Sequence, residues 1–276
     1  MAEDAPRTRR ARAAAERALI RVVHHYGERP EFVLLGGLVP DLLCSASGYQ
    51  HSGTTDVDVQ VDLEIAAGSI NTAKLEQALL NSEFEPDPSR VWRWKADGPG
   101  VGAVVKFELL SDLDTERAGV IVEFDGCEAL GAINLRGTGF AARDIEVRKL
   151  TSRDGGVEHT VEINVAGIAG FLLAKASAAH ARRKPKDWYD IAYVLLNNDI
   201  GGVEDAAGVV RDRFNAELAR VRTPLDDLRD NFADLHAQGA NAYADEMHTN
   251  HPELDHRQLL ADGVTAVRIF HDLLVG

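Results

Sequence analysis

Cysteine is almost absent from this chain: two in 276 residues, Cys44 and Cys127, neither in a Cys-x-x-Cys spacing. That excludes a disulfide scaffold and makes a structural zinc site a poor expectation. Long apolar runs are missing as well. No stretch approaches the roughly 18 consecutive apolar residues of a transmembrane helix, and the start of the chain places Arg7, Arg9, Arg10 and Arg12 before an alanine run where a signal peptide needs an apolar centre. The expectation is a cytoplasmic protein with no membrane partner. Positive charge is also short, with 30 Lys and Arg against 44 Asp and Glu, a formal −14. Such a balance repels polyphosphates at long range and excludes a general nucleic-acid coat protein. It leaves a small substrate, a cationic substrate, a metal-bridged nucleotide, or RNA held through one local basic patch.

What is present is enough apolar residue, 45 %, to bury a sizeable core in one large domain or two small ones. Residues 8–26 set Leu19, Val22, Val23 and Tyr26 at helical spacing before Gly27, which predicts an amphipathic helix with a glycine stop. Residues 31–35 form a short strand that runs into Gly36-Gly37 and then LVPDLL, a helix with Pro40 in its first turn. In TDVDVQVDL, residues 55–63, the acids and Gln60 alternate strictly with Val57, Val59, Val61 and Leu63, the clearest strand pattern in the chain. A helix over 70–84 and strands near 91–95, 104–110, 120–124, 145–150 and 158–165 follow, separated by turns at Asp97-Gly98-Pro99-Gly100 and Asp154-Gly155-Gly156. Beyond 166 only helical stretches remain, so we expect an α+β domain over 1–165 and a helical domain over 166–276.

Asp56 and Asp58 share one strand face about 6–7 Å apart. Two carboxylates so placed hold divalent cations, and hard oxygen ligands suit magnesium. Taken alone, such a pair is more often the solvated face of a half-buried strand, which Asp62 would continue. Upstream, backbone N–H groups at the Gly36-Gly37 turn and helix start can cradle phosphate oxygens. Cradle and carboxylates thus stand in the order a nucleotide site requires. A third ligand is sought in VVKFELL, where Glu108 lies in an apolar strand, with Asp112 as the fallback. In the second cluster, Lys175 sits inside an apolar helical run and needs a partner or an anion. Asp187 and Asp190 follow at i,i+3, and either one could orient Lys175 or the acceptor. Arg182, Arg183, Lys184 and Lys186 lie between and, with the basic N-terminal helix, are the obvious RNA-binding surfaces. His248, His251 and His256 have a spacing that suits no standard zinc geometry and are read as surface residues.

LLGGLVPDLL, HSGTTDVDV, KFELL and AKASAAHARRKPKDWYDIAYVL together resemble the AbiEii/AbiGii-type toxins, MenT-like enzymes included, within the DNA-polymerase-β-like nucleotidyltransferases. The resemblance covers about 35–195. It implies a mixed-sheet palm followed by a helical domain, and transfer of a nucleotide from an NTP with Mg2+ held by Asp56, Asp58 and Glu108. Gly36, Gly37, Thr54, Thr55 and Lys175 would bind nucleotide, and Asp187 or Asp190 would complete the catalytic set. A tRNA 3′ end as acceptor and a cognate antitoxin as partner are further implications. Two departures stand out: Gly37 replaces the serine of many relatives, and Ser52 stands where many carry an arginine. The rival expectations are transfer to a cationic small molecule such as an aminoglycoside, and a catalytically silent binding module.

Overall fold

The computed structural model describes residues 8–62, 71–97, 104–154 and 156–276. Residues 98–100 of the turn expected at 97–100 and the centre of the turn at 154–156 fall outside them, as does the end of the predicted 55–63 strand. The chain forms two compact units, Met1–Val39 with Gly53–Ala166, and Pro40–Ser52 with Gly167–Gly276. The segment 40–52, which the sequence assigns to the first domain, therefore packs with the helices.

In the first unit, helix α1 (Arg9–Tyr26) starts at Thr8, whose hydroxyl accepts the Ala11 N–H at 3.1 Å. It stops at Gly27, which adopts φ 85° and donates to the carbonyls of Val23 and His24. A threonine cap of this kind stabilises the helix by about 1 kcal/mol. Its Ala14, Ala18, Leu19, Val22 and Val23 are buried. Strand β1 (Val33–Leu35) leads into a 3-10 turn at Gly36–Leu38, after which the chain passes into the second unit through the short helix α2 (Val39–Leu43). Strand β2 (Asp56–Gln60), helix α3 (Asn71–Asn81) and strands β3 (Glu85–Asp87), β4 (Arg90–Asp97) and β5 (Val104–Ser111) follow. The unit is completed by β6 (Ile121–Glu123), β7 (Gly131–Asn134), the one-turn helix α4 (Gly139–Ala142), β8 (Ile145–Asp154) and β9 (Val157–Ala166).

Among the described residues these strands make one mixed sheet in the order β3-β4-β5-β2-β1-β9-β8, with β7 beside β5 and β6 beside β7. Strand β2 runs antiparallel to β1 and parallel to β5. Side chains alternate across a sheet, and Val57, Val59, Trp94 and Phe107 are fully buried. Phe107 meets Phe32 and Phe84 edge-on, each with ring centroids 6.0 Å apart. The alternate residues of the same strands are Asp56 and Asp58, Lys106 and Glu108, Arg93 and Lys95, all on the opposite face.

The second unit comprises α5 (Ile168–Arg182), α6 (Pro185–Asn197), α7 (Val203–Phe214), a 3-10 stretch over Asn215–Val221, α8 (Arg222–Asp230), α9 (Gln238–Asn250) and α10 (His256–Val275). Pro185 occupies the first turn of α6, where its missing N–H costs nothing. Helix α9 has few and mostly small buried residues, Gly239, Ala240, Tyr243, Ala244 and Met247.

Candidate functional site

The site is built first from backbone. Gly36 takes φ +80°, and a Cβ there would lie 1.9 Å from Asp58 Oδ2 and 2.8 Å from its Cγ. The glycine turn therefore presses directly on the second carboxylate, an approach open only to a residue with no side chain. A Cβ on Gly37 would meet Thr54 at 3.0 Å from its Cβ and 3.1 Å from its Oγ1. Thr54 thus crowds the space that a side chain at 37 would enter. The Thr54 hydroxyl accepts the Asp56 N–H at 3.1 Å, and the Thr55 hydroxyl lies 3.5 Å from Asp56 Oδ1. Both threonines are buried and shape the entry of β2.

The parallel register pairs Asp56 with Lys106 and Asp58 with Glu108, and on the far side of β5 Glu108 faces Arg93. Glu108 is therefore the carboxylate next to the D-x-D pair, but its side chain is taken by the Arg93 guanidinium in a short ion pair. Lys106 Nζ donates to Asp56 Oδ1 at 3.2 Å. No three carboxylate, imidazole or thiolate side chains converge as a ready metal cage among the described residues. Asp112 accepts the N–H groups of Gly137 at 2.8 Å and Gly139 at 3.1 Å and pairs with Arg136 at 3.4 Å. Its carboxylate closes a turn, so the fallback ligand has a structural occupation. Gln60, expected on the acidic face, is wholly buried.

In the helical unit Lys175 is 6 % exposed, and its ammonium donates to Asp187 Oδ1 at 3.3 Å and Asp190 Oδ2 at 2.6 Å. Both aspartates point inward, at 0 % and 1 % exposure, so the choice between them dissolves. Arg182 adds two bonds to Asp187, each 2.6 Å. Burial pushes the Asp187 carboxyl up, and the Lys175 and Arg182 charges outweigh it, leaving a net lowering. For Lys175 burial favours the neutral form and the two aspartates overcome it, holding the ammonium above its ordinary range. Where the sequence reading has Lys175 neutralise triphosphate, the ammonium is engaged by these carboxylates.

His51 is the residue that sequence reasoning missed. Its Nε2 lies 2.9 Å from Asp190 Oδ1, in a fully buried contact. It belongs to a strap, residues 45–52, laid along α6. Ser52 N–H donates to the Tyr189 hydroxyl at 3.0 Å, the Tyr193 hydroxyl to the Tyr49 carbonyl at 2.5 Å, and the Ser47 hydroxyl to Asn197 Oδ1 at 3.2 Å. Asp199 accepts from Ser45 N–H at 2.9 Å and Ala46 N–H at 2.8 Å. Each step up the helix thus fixes a residue further back in the strap. The only signal in the sequence was position, five residues before Asp56. Of the basic cluster, Arg182 is bound to Asp187, and Arg183 donates to Asp227 at 3.1 Å. His251, expected at the surface, is buried with Nε2 3.0 Å from the Gln50 carbonyl.

A mixed sheet in which a strand and glycine turn adjoin a D-x-D strand, followed along the chain by a helical part, fits the polymerase-β-like nucleotidyltransferase architecture. The family model described as nucleotidyl transferase AbiEii toxin, type IV toxin-antitoxin system, matches residues 54–268. That is well over half of the chain, and the chain belongs to this family; it is a nucleotidyltransferase. The match extends through the helices beyond 195, where the motifs alone gave no signal, and begins after the Gly36-Gly37 turn. No curated protein sequence matches the chain. Among solved structures, the STING-associated c-di-GMP synthase CdnE from Capnocytophaga granulosa is similar at 13 % identity, over 96 % of this chain and 80 % of that one, with a TM-score of 0.25. A likeness of that degree supports no further argument. No described helix is long and apolar enough to cross a membrane.

Proposed function

We propose that the enzyme transfers a nucleotide from an NTP to the 3′ end of tRNA, as the toxin of a toxin-antitoxin pair, with magnesium held by Asp56 and Asp58. The observation that carries this reading is the contact between the Gly36 turn and the Asp58 carboxylate, because it joins a backbone phosphate cradle to the second acid of the D-x-D strand. Carboxylate oxygens are the donors that magnesium prefers, and two project from one strand face. Glu108 adjoins them by register and becomes a third ligand when Arg93 yields. When bound, the cation would polarise the α-phosphate and stabilise the departing pyrophosphate. The chain's own part is positional: the Gly36-Gly37 backbone would hold the triphosphate, Thr54 and Thr55 fix the start of β2, and Asp56 and Asp58 would hold the cation.

In the helical unit, Asp190 and Asp187 fix Lys175, and Asp190 also fixes His51 and with it the strap that leads into Thr54 and Asp56. Lys184 and Lys186, with the N-terminal basic helix, are the proposed RNA contacts. A cognate antitoxin, and a cytoplasmic site of action, belong to the same reading.

The test is transfer of label from each α-labelled NTP, with magnesium, to total tRNA or to aminoglycosides in parallel. Label on tRNA that disappears with Asp58→Asn supports the reading. Label on aminoglycosides alone assigns a small-molecule acceptor, which the −14 charge of the chain would attract. No transfer to either, with no change on Asp56→Asn or Asp58→Asn in magnesium-dependent NTP binding, sinks it.

A further inference from the structure

The acidic face of the sheet is already partly neutralised from within. Asp56, Asp58 and Glu108 contribute three carboxylates on adjoining strands, and Lys106 and Arg93 stand in register with them. Lys106 bonds Asp56, and Arg93 bonds Glu108. The Lys106 side chain is 25 % exposed and that of Asp56 is 21 %, so this pair lies at the accessible surface of the face. A divalent cation on Asp56 and the Lys106 ammonium compete for the same oxygens. An ammonium has three donors on a flexible four-carbon stem and exchanges partners readily. Released from Asp56, it stands beside the strand whose next acid, Asp58, touches the Gly36 cradle, where the triphosphate of the proposed reaction would lie.

We infer that Lys106 is an exchangeable counter-ion: it holds Asp56 while the cation is away and passes to the nucleotide's phosphates when the cation takes its place. The inference rests on the reading of Asp56 and Asp58 as the cation ligands. It predicts effects of opposite sign from one substitution. Without nucleotide, Lys106→Met removes both a competitor and a repelling charge, so Mn2+ alone binds roughly three- to tenfold tighter. With magnesium present, the same variant binds nucleotide about tenfold more weakly, having lost a charge-assisted bond to phosphate. Lys106→Arg keeps the charge and stays near wild type in both. Lys95 is the control, since its ammonium pairs with Asp87 at 2.6 Å, and Lys95→Met leaves Mn2+ affinity unchanged within about twofold.

The experiment measures free Mn2+ by electron paramagnetic resonance against wild type and each variant. The α,β-methylene analogues of the four NTPs are then titrated one at a time in magnesium. Thermal midpoints confirm that each variant is folded. Unchanged or weaker Mn2+ binding in Lys106→Met overturns the inference, as does unchanged nucleotide affinity. If Mn2+ binding in the wild type is lost on Asp56→Asn while Lys106→Met does nothing, only the counter-ion role falls. If the wild type binds no Mn2+, or binds it regardless of Asp56 and Asp58, the cation site falls and the inference with it.

Discussion

Replacing Gly36 by alanine separates what the glycine does for the chain from what it does for the site. Gly36 and Gly27 have nearly the same backbone, φ +80° and +85°, but a Cβ at Gly27 meets nothing within 4 Å. An alanine in that region of φ costs roughly 1–2 kcal/mol at either position. In a domain of this size the thermal midpoint then falls by about 2–8 °C. At Gly36 the added carbon would stand 1.9 Å from Asp58 Oδ2, against the 3.4 Å at which ordinary contact begins, a deficit of about 1.5 Å. Neither backbone nor carboxylate absorbs that without moving. A displacement of about 1 Å at a reacting group costs on the order of a hundredfold in rate, and disturbing a ligand's support costs roughly ten- to a hundredfold in metal affinity. We therefore expect a larger stability loss for Gly36→Ala than for Gly27→Ala, by the roughly 1–3 kcal/mol cost of relieving that clash, with transfer and Mn2+ affinity lost in the Gly36 variant only. A folded Gly36→Ala enzyme whose transfer rate stays within about threefold of wild type would refute the coupling of turn to carboxylate.

Three further outcomes follow from the charges. Lys175→Met leaves Asp187 and Asp190 buried without their shared cation, and urea unfolding should show a loss of about 3–5 kcal/mol, part of it recovered when Asp190→Leu is added. The folded Asp187 carboxyl lies below its ordinary value, so its contribution to stability is complete above about pH 4 and is lost as pH falls from there towards the lowered value; a pH series of urea midpoints reads this, and Lys175→Met should flatten it. Arg182 and Arg183 are spent on Asp187 and Asp227. If Lys184 and Lys186 make the phosphate contacts, binding of single-stranded tRNA ends should follow a log–log salt slope near −1.5, and a slope beyond about −3 would mean that other cations, such as those of α1, share the contact.

Most of what positions the site within one strand was legible in the sequence. The alternation of TDVDVQVDL gave β2 and its acidic face, and Gly27 marked the end of α1, because helix stops and side-chain period are local properties. The glycine turn was legible as a motif, though its reason, the Asp58 carboxylate against Gly36, required the antiparallel pairing of β1 and β2. Strands β3 and β7 passed unseen, being three and four residues long, with Pro86 in one and Gly131 in the other. Partners distant in sequence were beyond reach. Nothing in the pattern couples His51 to Asp190, 139 residues away, or sets Lys106 beside Asp56. Register across a parallel pair is decided by packing of the buried face, here Val57 against Phe107, and side-chain period alone does not fix it.

The same pairings bear on how an acidic protein could handle a polyphosphate. A formal −14 makes free cations scarce, and the cations that the sequence offered first are not free: Lys175 and Arg182 lie on Asp187 and Asp190, and Arg183 lies on Asp227. A buried ion pair is costly to open because each partner leaves an uncompensated charge in a poorly solvated place. The Lys175 cluster is for that reason a poor donor of charge to a substrate that comes and goes, and a good anchor for the strap carried by His51. Lys106 and Arg93 face the other way in this balance. They sit partly exposed on the sheet, and their carboxylate partners are the groups a divalent cation seeks. On the proposed reading, opening them would cost little once that cation arrives, and the charge available to phosphate would be the charge that the metal displaces.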